Sequence, residues 1–441
     1  MRTGIKSNGS PPNVSLGLRV LFRALSHRNY RLFFGGQGLS LIGTWVQVIA
    51  MSWLVYRLTN SAFLLGMTGF VGQIPTFLFA PLAGVLVDRW NRHHILLVTQ
   101  TLSMVQALLL AVLDLTGTIL VWHIILLILM LGFVNALDAP ARQAFVVEMV
   151  EKREDLSNAI ALNSFLFNGA RLIGPSIGGI LISIVGEGIC FLLNGLSFFA
   201  VIIALRAMKI ERKKSLIPST RVAKGLKEGF DYAFGFAPIR FILLFLGLIS
   251  LAGMPYTILM PIFAKDILHG GPQTLGFLMA ATGTGAVAGA LFLASRKSVL
   301  GLGRVIVIAS GVFGTGLIAF SLSHVLWLSL LILVLTGLGM MVQMASSNTI
   351  LQTIVEDDKR GRVMSFYTMS FMGVAPFGSL LAGSLAEAIG APNTVRIAGI
   401  SCLLGSYLFA RRLPLLRGMI RPIYLRKGII LEESPQRIIE N

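Results

Sequence analysis

The chain has 441 residues, of which 55% are hydrophobic and 13% are charged, and its mean hydropathy is +0.80. Charged residues make up about 25% of average soluble domains, so this composition excludes a soluble globular protein and indicates an integral membrane protein. The net charge of +18 would suit a nucleic-acid-binding protein, but the basic residues fall between apolar segments. We therefore interpret them as signals of membrane orientation and expect no nucleic-acid partner.

The first half of the chain contains six apolar stretches that are long enough to cross a bilayer. A polar, basic segment over residues 1–30 precedes them and is predicted to be a cytoplasmic N-terminal arm. About 20 apolar residues suffice for one transmembrane helix. Within a predicted bundle over residues 31–207, the stretches cover residues 31–56, 62–87, 94–114, 119–138, 158–186 and 188–207.

The second half repeats this organisation after a basic connection. Residues 208–237 are predicted to form a cytoplasmic linker with a surface helix. A second bundle is predicted over residues 238–411, and residues 412–441 are predicted to be a basic cytoplasmic tail. The six stretches of the second bundle cover residues 239–264, 273–295, 302–322, 325–346, 362–388 and 393–411.

The positions of lysine and arginine predict the orientation in the membrane, because positively charged loops stay in the cytoplasm. With both termini cytoplasmic, the outer loops contain only Arg57, Lys265 and Arg396, and Arg171 lies inside a span. We therefore predict a multi-pass plasma-membrane protein with twelve spans and both termini in the cytoplasm.

An internal repeat relates the two halves. Residues 156–186 align without gaps to residues 360–390, and four glycines of the first segment, at 169, 174, 179 and 186, meet glycines of the second. The halves are therefore related by a parallel repeat. The predicted fold is all-α, with twelve transmembrane helices in two six-helix bundles and a substrate site between them.

The predicted loop between the second and third spans carries a family motif. Its sequence, GVLVDRWNRHHIL, resembles the Gly-x-Leu-x-Asp-Arg-x-Gly-Arg-Arg/Lys loop of the major facilitator superfamily, and the resemblance extends over nearly the whole chain. Asn91 replaces the usual glycine and His93 replaces the last basic residue. The positions that match are Gly84, Leu86, Asp88, Arg89 and Arg92.

We interpret this loop as a conformational latch, formed by Gly84, Asp88, Arg89 and Arg92. We expect Asp88 to lie against the positive N-terminal end of the eleventh span, near Gly361. Arg89 would pair with a carboxylate, for which Asp138 is the candidate partner. In the alternative interpretation these loop charges only set the membrane topology.

The fifth span resembles the antiporter signature Gly-x4-Gly-Pro-x2-Gly-Gly of the superfamily. Small residues allow helices to approach closely and proline interrupts the helical hydrogen bonds, so the segment is interpreted as a pivot or seal. The signature implies export rather than uptake, whereas ordinary glycine packing is the alternative. All five positions match, at Gly169, Gly174, Pro175, Gly178 and Gly179.

The segments NALDAPARQAFVVEMV and LSNAIALNSFLFNGARLIGPSIGG resemble the branch that holds the enterobactin exporter and drug–proton antiporters. This resemblance implies a secondary active exporter of a siderophore or an amphipathic drug-like molecule, in exchange for protons. The arginine motif that many drug antiporters carry in the fourth span is missing. The alternatives are a transport-dead sensor or assembly factor on the same fold, and a lysophospholipid carrier.

Arg171 is the main candidate for substrate binding, because a charge near the bilayer midplane normally faces a cavity or the protein interior. It favours an anionic or catechol-like group. Alternatively, carbonyls and amides satisfy the guanidinium and it acts as an interhelical strut. The polar residues predicted to accompany it in a site are Asn168, Gln47, Gln73, Asn135 and Gln343.

Proton coupling usually requires a titratable group within the transport pathway. Asp138 and His123 are the candidates, and sodium coupling or facilitated uniport stays open. The sequence shows no nucleophile with a paired base and no metal cluster, so we expect no enzyme activity, no metal and no cofactor. The expected partners are the bilayer, a small molecule and protons, and the expected state is a monomer.

Overall fold

The computed structural model describes residues 22–208, 222–296 and 298–430, apart from the side chains of Ala80, Pro81, Asp88, Arg153 and residues 222–227. The regular elements of this described part are all helical. We label the membrane helices α1 to α12. Some predictions lie outside the described residues. They concern the arm up to residue 21, the linker over 209–221, the tail from 431 onward and the side chain of Asp88.

The first half contains α1 to α6. A short turn of 3₁₀ helix over Arg23–Ser26 precedes α1. A single run over Leu156–Ala207 follows α4 and contains both α5 and α6, because Gly186 within it has non-helical angles, φ 79° and ψ 173°. The first four helices are α1 (Arg28–Thr59), α2 (Ala62–Arg89), α3 (Arg92–Leu115) and α4 (Val121–Met149).

Gly186 separates two membrane crossings. The run of 52 residues would be about 78 Å long as one straight helix, whereas the hydrocarbon core of a bilayer is about 30 Å thick. The positive φ angle of Gly186 suits glycine, which has no side chain to clash in this conformation. We therefore divide the run into α5, residues 156–185, and α6, residues 187–207.

The second half begins with an amphipathic linker helix, Val222–Gly235, and continues with α7 over Ala237–Ile267. Helix α7 is irregular, since Ile249–Gly253 and Phe263–Ile267 form π-helical turns and Met254–Thr257 forms a 3₁₀ turn. Pro255 lies in this region and has no N–H for the helical ladder. The remaining helices are α8 (Pro272–Ala294), α9 (Leu302–Ser321), α10 (Leu326–Ile354), α11 (Arg360–Ile389) and α12 (Ala391–Arg426).

Within the described residues, ten helical stretches are long and apolar enough to cross a membrane. The break at Gly186 divides one of these stretches into two crossings, and α12 adds the last, which gives twelve. The predicted all-α membrane fold is therefore confirmed. Several helices are longer than the apolar stretches: α4 continues to Met149, α10 to Ile354 and α12 to Arg426. Apolar length reports the part inside the bilayer, whereas a helix continues as long as its hydrogen bonds do.

Two pairs of equivalent glycines, Gly174 with Gly378 and Gly186 with Gly390, are alike in the two halves. A Cβ atom at Gly174 would lie 2.4 Å from the Trp45 Cβ on α1, and one at Gly378 would lie 2.4 Å from the Leu251 carbonyl oxygen on α7. Gly186 and Gly390 share a positive φ, 79° and 83°. The parallel repeat that the sequence predicts is therefore present in the three-dimensional contacts.

Two glycine crossings join the halves. A Cβ atom at Gly179 on α5 would lie 3.0 Å from the Gly276 Cα on α8, and one at Gly383 on α11 would lie 2.7 Å from the Gly66 Cα on α2. The backbones of these helix pairs are therefore in direct contact. Small residues are what allows membrane helices to approach so closely.

The halves also meet at one end of the bundles, which we call the outer end. It carries the α1–α2 and α11–α12 connections, and the inner end carries the α2–α3 connection. Four hydrogen bonds between described residues join the halves, and all four lie at the outer end. In this conformation the described contacts close the outer end and leave the inner ends of the halves unconnected by hydrogen bonds.

Candidate functional site

Arg171 lies at the middle of α5, fifteen residues after Leu156 and fifteen before Gly186. Its guanidinium carbon is 6.0 Å from the ring centroid of Trp45 on α1. It also interacts electrostatically with Tyr256, a buried residue of α7 in the other half. The side chain is therefore placed where α1 and α5 of the first half meet α7 of the second.

The guanidinium has no hydrogen bond or ion pair to any described residue, and the Trp45 ring lies beside it. The strut interpretation requires carbonyls or amides around this group, and none of the described ones bonds it. Pro175, one turn later on α5, has no N–H, so it cannot donate a helical hydrogen bond to the Arg171 carbonyl. The site therefore presents a cation whose five N–H donors can receive a planar anionic group.

Three of the predicted site residues have exposed side chains. Asn168, one turn before Arg171, donates from Nδ2 to the Ser164 carbonyl oxygen at 2.8 Å. Gln73 on α2 donates from Nε2 to the Gly69 carbonyl oxygen at 3.3 Å, and Asn135 on α4 is also exposed. These bonds are local to one helix, so the remaining polar atoms of the side chains stay available.

The side chains of the other two predicted residues, Gln47 and Gln343, are buried. Gln47 is buried and donates to the Gln106 Oε1 at 3.0 Å, while Asn194 donates to the Gln47 Oε1 at 2.7 Å. This network joins α1, α3 and α6, so Gln47 and Gln106 hold helices of the first half together instead of bonding Arg171. Gln343 on α10 is buried as well, and its Oε1 has no hydrogen-bond partner among the described residues.

The predicted pivot glycines have different surroundings. Gly174 and Gly178 pack against Trp45 and Val46 on α1, and Gly179 forms the crossing with α8. The Pro175 carbonyl oxygen also faces that crossing, 2.6 Å from where a Gly276 Cβ would lie. Gly169 has no atom within 4 Å of a Cβ position. The signature therefore combines contacts within the first half with one contact between the halves.

The predicted latch is described only in part. Arg92 Nη1 pairs with the Glu148 carboxylate at 2.7 Å, which connects the beginning of α3 to the inner end of α4. Arg89 is exposed at the end of α2 and has no ion pair with any described residue. A Cβ at Gly84 would meet no atom within 4 Å.

Asp138 is buried and has a different partner from the one predicted. Its carboxylate pairs with Arg142 at 3.0 Å, one turn further along α4, and accepts hydrogen bonds from Thr99 and Gln100 on α3 at 2.8 Å each. The sequence predicts Arg89 as the partner of Asp138. Arg142 pairs with Asp138 instead in this conformation, because it lies four residues later on the same face of α4. His123, the other proton candidate, lies at the outer end of α4, where its Nδ1 accepts from the Leu120 N–H at 3.0 Å.

The contacts that close the outer end were not predicted from the sequence. The Tyr56 hydroxyl donates a short hydrogen bond to Asp266, and the Lys265 Nζ donates to the Asn60 Oδ1 at 2.6 Å. The Glu387 carboxylate accepts from the Ser61 hydroxyl at 3.1 Å and from the Phe63 N–H at 3.0 Å. Each bond joins α1 or α2 of the first half to α7 or α11 of the second. We call these seven residues the outer gate.

One sequence signal could have indicated the outer gate. Glu387 lies in the last turn of α11, where a negative charge is unfavourable because the helix dipole is already negative at that end. Such a residue suggests a partner elsewhere. That partner is the beginning of α2, whose first N–H groups have no acceptor within their own helix.

Known proteins resemble the chain over most of its length. A family model described as transmembrane secretion effector matches residues 21–418. The chain is 26% identical over 387 residues to the staphyloferrin A transporter of Staphylococcus aureus, which covers 87% of this chain and 96% of that protein. It is 23% identical over 371 residues to a multidrug efflux pump of Mycolicibacterium fortuitum, which covers 82% of this chain and 90% of the pump.

Solved structures show the same fold. A bacterial homologue of the iron transporter ferroportin, in an inward-facing state, has a TM-score of 0.66 at 16% identity, over 87% of this chain and 98% of the other. The predicted membership of the major facilitator superfamily is confirmed. Given the family match, the twelve helices and the two like halves, this chain belongs to the transmembrane secretion effector family of the major facilitator superfamily.

Proposed function

We propose that this protein exports an anionic or catechol-bearing small molecule, a siderophore or an amphipathic drug-like compound, from the cytoplasm of a bacterium in exchange for protons. The observation that carries this proposal is Arg171, a cation at mid-helix between the halves with no hydrogen bond or ion pair to a described residue. An uncompensated charge at that depth is costly. A bound anion would compensate it.

The names of the relatives support the same class of substrate. One is a siderophore transporter and the other is a multidrug efflux pump. The glycine and proline signature on α5 supports export rather than uptake. We place the protein in the bacterial inner membrane as a monomer with both termini in the cytoplasm, in keeping with the location of its basic loops.

The transport cycle that we infer is alternating access. In the present conformation the outer gate is closed, and a substrate reaches Arg171 from the inner end. Binding would favour the conformation in which the halves separate at the outer end and approach at the inner end. The latch residues Gly84, Asp88, Arg89 and Arg92 would then stabilise that second conformation.

Asp138 is our candidate for the proton site. Its carboxylate is buried beside Arg142 and bonded by Thr99 and Gln100, so protonation would remove the negative partner from Arg142. That change would alter the packing of α3 against α4 in the inner half of the bundle. His123 is the weaker candidate, because it lies at the outer end of α4 and bonds its own helix terminus.

Transport by Arg171 variants tests the proposal. In proteoliposomes with an imposed pH gradient, Arg171→Ala should lower the uptake of a catechol siderophore or a macrolide about tenfold or more, because a hydrogen bond to a charged group contributes about 1.5–3 kcal/mol. Arg171→Lys should retain part of the activity, since the charge remains but the planar fork is lost.

The matched control is Ile184→Ala on the same helix, whose side chain is exposed and distant from Arg171. It should transport like the wild type. Equal transport by Arg171→Ala and the wild type, with all variants folded in detergent, would show that the guanidinium does not bind the substrate. An absence of any compound-dependent proton movement in the wild type would instead favour a sensor.

A further inference from the structure

A groove lies between α7 and α12 of the second half. Its volume is about 570 Å³, within the range of small-molecule sites in proteins, about 300–1,000 Å³. Gly405 lines it, and Leu244 and Leu408 are exposed along it. The other lining residues of the groove are Phe241, Phe245, Leu248, Phe409, Arg411 and Arg412.

A second groove of about 380 Å³ lies at the inner end of the second half. Phe409 lines both of them. The second groove lies between the extended part of α12 and the beginning of α9, so it exists because α12 does not end at the membrane surface. None of the described residues that line the two grooves is acidic.

Five arginines line the two grooves. None of the five that line the grooves forms an ion pair with a described carboxylate, and all five are exposed. Arg412 also lies over the Phe241 ring, 5.9 Å from its centroid, and Arg240 lies 5.6 Å from the same centroid. The five arginines are Arg304, Arg411, Arg412, Arg417 and Arg421.

We propose that these grooves bind an anionic glycerophospholipid of the surrounding bilayer. Its phosphate would lie between Arg411, Arg412 and Arg417, and an acyl chain would fill the groove between α7 and α12. The charge pattern favours this occupant, because the arginines lack acidic partners among the described residues and the groove beside them is lined by exposed leucines, Leu244 and Leu408. Basic residues at the inner membrane surface attract anionic lipids, by roughly 1 kcal/mol each. The site is independent of Arg171 and of transport.

Native mass spectrometry of the full-length protein in detergent can measure this binding. The probe is phosphatidylglycerol, and phosphatidylcholine with the same acyl chains is the zwitterionic comparison. The wild type should prefer phosphatidylglycerol. The double variant Arg411→Gln, Arg412→Gln should weaken phosphatidylglycerol binding about 30-fold, with little change for phosphatidylcholine.

Two matched controls separate a specific site from general surface charge. The double variant Arg28→Gln, Arg31→Gln removes the same charge at the inner end of the first half, outside both grooves, and should bind like the wild type. Leu244→Trp should weaken binding by occupying the groove, whereas Ile308→Trp, at an exposed position on α9, should not.

Equal retention of the two lipids by the wild type would overturn the proposal. So would equal losses in both arginine double variants, because binding would then follow net charge alone. Binding of phosphatidylglycerol that appears only when residues 431–441 are deleted would show that the chain's own end occupies the grooves instead.

Discussion

At the scale of single residues, the depth of Arg171 could be predicted from the sequence, but its neighbours could not. The depth of a residue in the membrane follows from its position along one apolar segment. Trp45 and Tyr256 approach Arg171 from helices that are distant in sequence, and only the packing of the halves brings them together. Gln47 was predicted to bind substrate for the same reason, because its polar side chain suits a site but its partners could not be predicted. In the structure it bonds Gln106 and Asn194 within the first half.

Asp155 provides a prediction at this scale. It lies before α5, where it accepts from the His27 Nε2 at 2.9 Å and pairs with Arg23. The hydrogen bond from His27, followed by the charge of Arg23, lowers the pKa of the Asp155 carboxyl below its ordinary value of 3.8. The ionised form is therefore favoured in the folded protein. Its stabilising effect is complete above the ordinary pKa and is lost as the pH falls through the folded value.

Asp155→Asn should therefore lower the thermal unfolding midpoint at pH 7, and the difference from the wild type should diminish below about pH 4. Thermal scans in detergent between pH 3 and pH 8 would measure both effects. Asp357→Asn is the control, because Asp357 is exposed and pairs only with Arg360 on the surface. An unchanged difference between Asp155→Asn and the wild type at pH 3 would contradict this account.

At the scale of helices, the glycine signature was recognised in sequence, but the function of each glycine could not be. All five positions match the motif, but their surroundings differ. Gly179 contacts the other half, whereas a Cβ atom at Gly169 would meet no atom within 4 Å. Helical periodicity gives the face of each residue, but it does not identify the helix that packs there. The partner of Gly179 is Gly276, more than ninety positions later in the chain.

Gly179→Ala should therefore be far more harmful than Gly169→Ala. The added methyl would lie 2.5 Å from the Pro272 carbonyl oxygen, so α5 and α8 must separate. Overpacking of this kind costs about 1–3 kcal/mol. We expect transport and thermal stability to fall in Gly179→Ala, whereas Gly169→Ala should match the wild type. Equal transport by the two variants in the same proteoliposome assay would show that close packing at the Gly179–Gly276 crossing is not required for transport.

At the scale of the whole molecule, the sequence predicted the fold well because its signals are additive along the chain. Apolar length predicted twelve spans, the positive-inside pattern required an even number of them, and the glycine repeat divided them into two like halves. The conformation could not be predicted in this way. It depends on bonds such as that from the Phe63 N–H to Glu387, which join positions 324 residues apart.

The outer gate predicts how the population of conformations changes. Glu387→Gln removes the negative charge from the beginning of α2, an interaction that contributes about 0.3–1 kcal/mol. The outward-open population should therefore rise about two- to fivefold. Spin labels at Thr118→Cys and Val325→Cys, in exposed outer connections of the two halves, should then report longer distances.

The native cysteines should not interfere, because Cys190 and Cys402 are both buried. Glu356→Gln, an exposed inner-end substitution that leaves the outer gate intact, is the matched control and should leave the distance distribution unchanged. If Glu387→Gln gives the same distribution as Glu356→Gln, Glu387 does not hold the outer end closed.

In the alternating-access cycle that we propose, the glycine crossings would determine how far different parts of the protein move. Two backbone contacts, Gly179–Gly276 and Gly66–Gly383, define a line about which the halves can turn. Along α5, Arg171 is about 12 Å from that line and the inner end of the helix is about 35 Å from it. If α5 turns as a rigid body about this line, its inner end moves about three times as far as Arg171. A ligand on Arg171 would therefore move about a third as far as the entrance at the inner end of the helix.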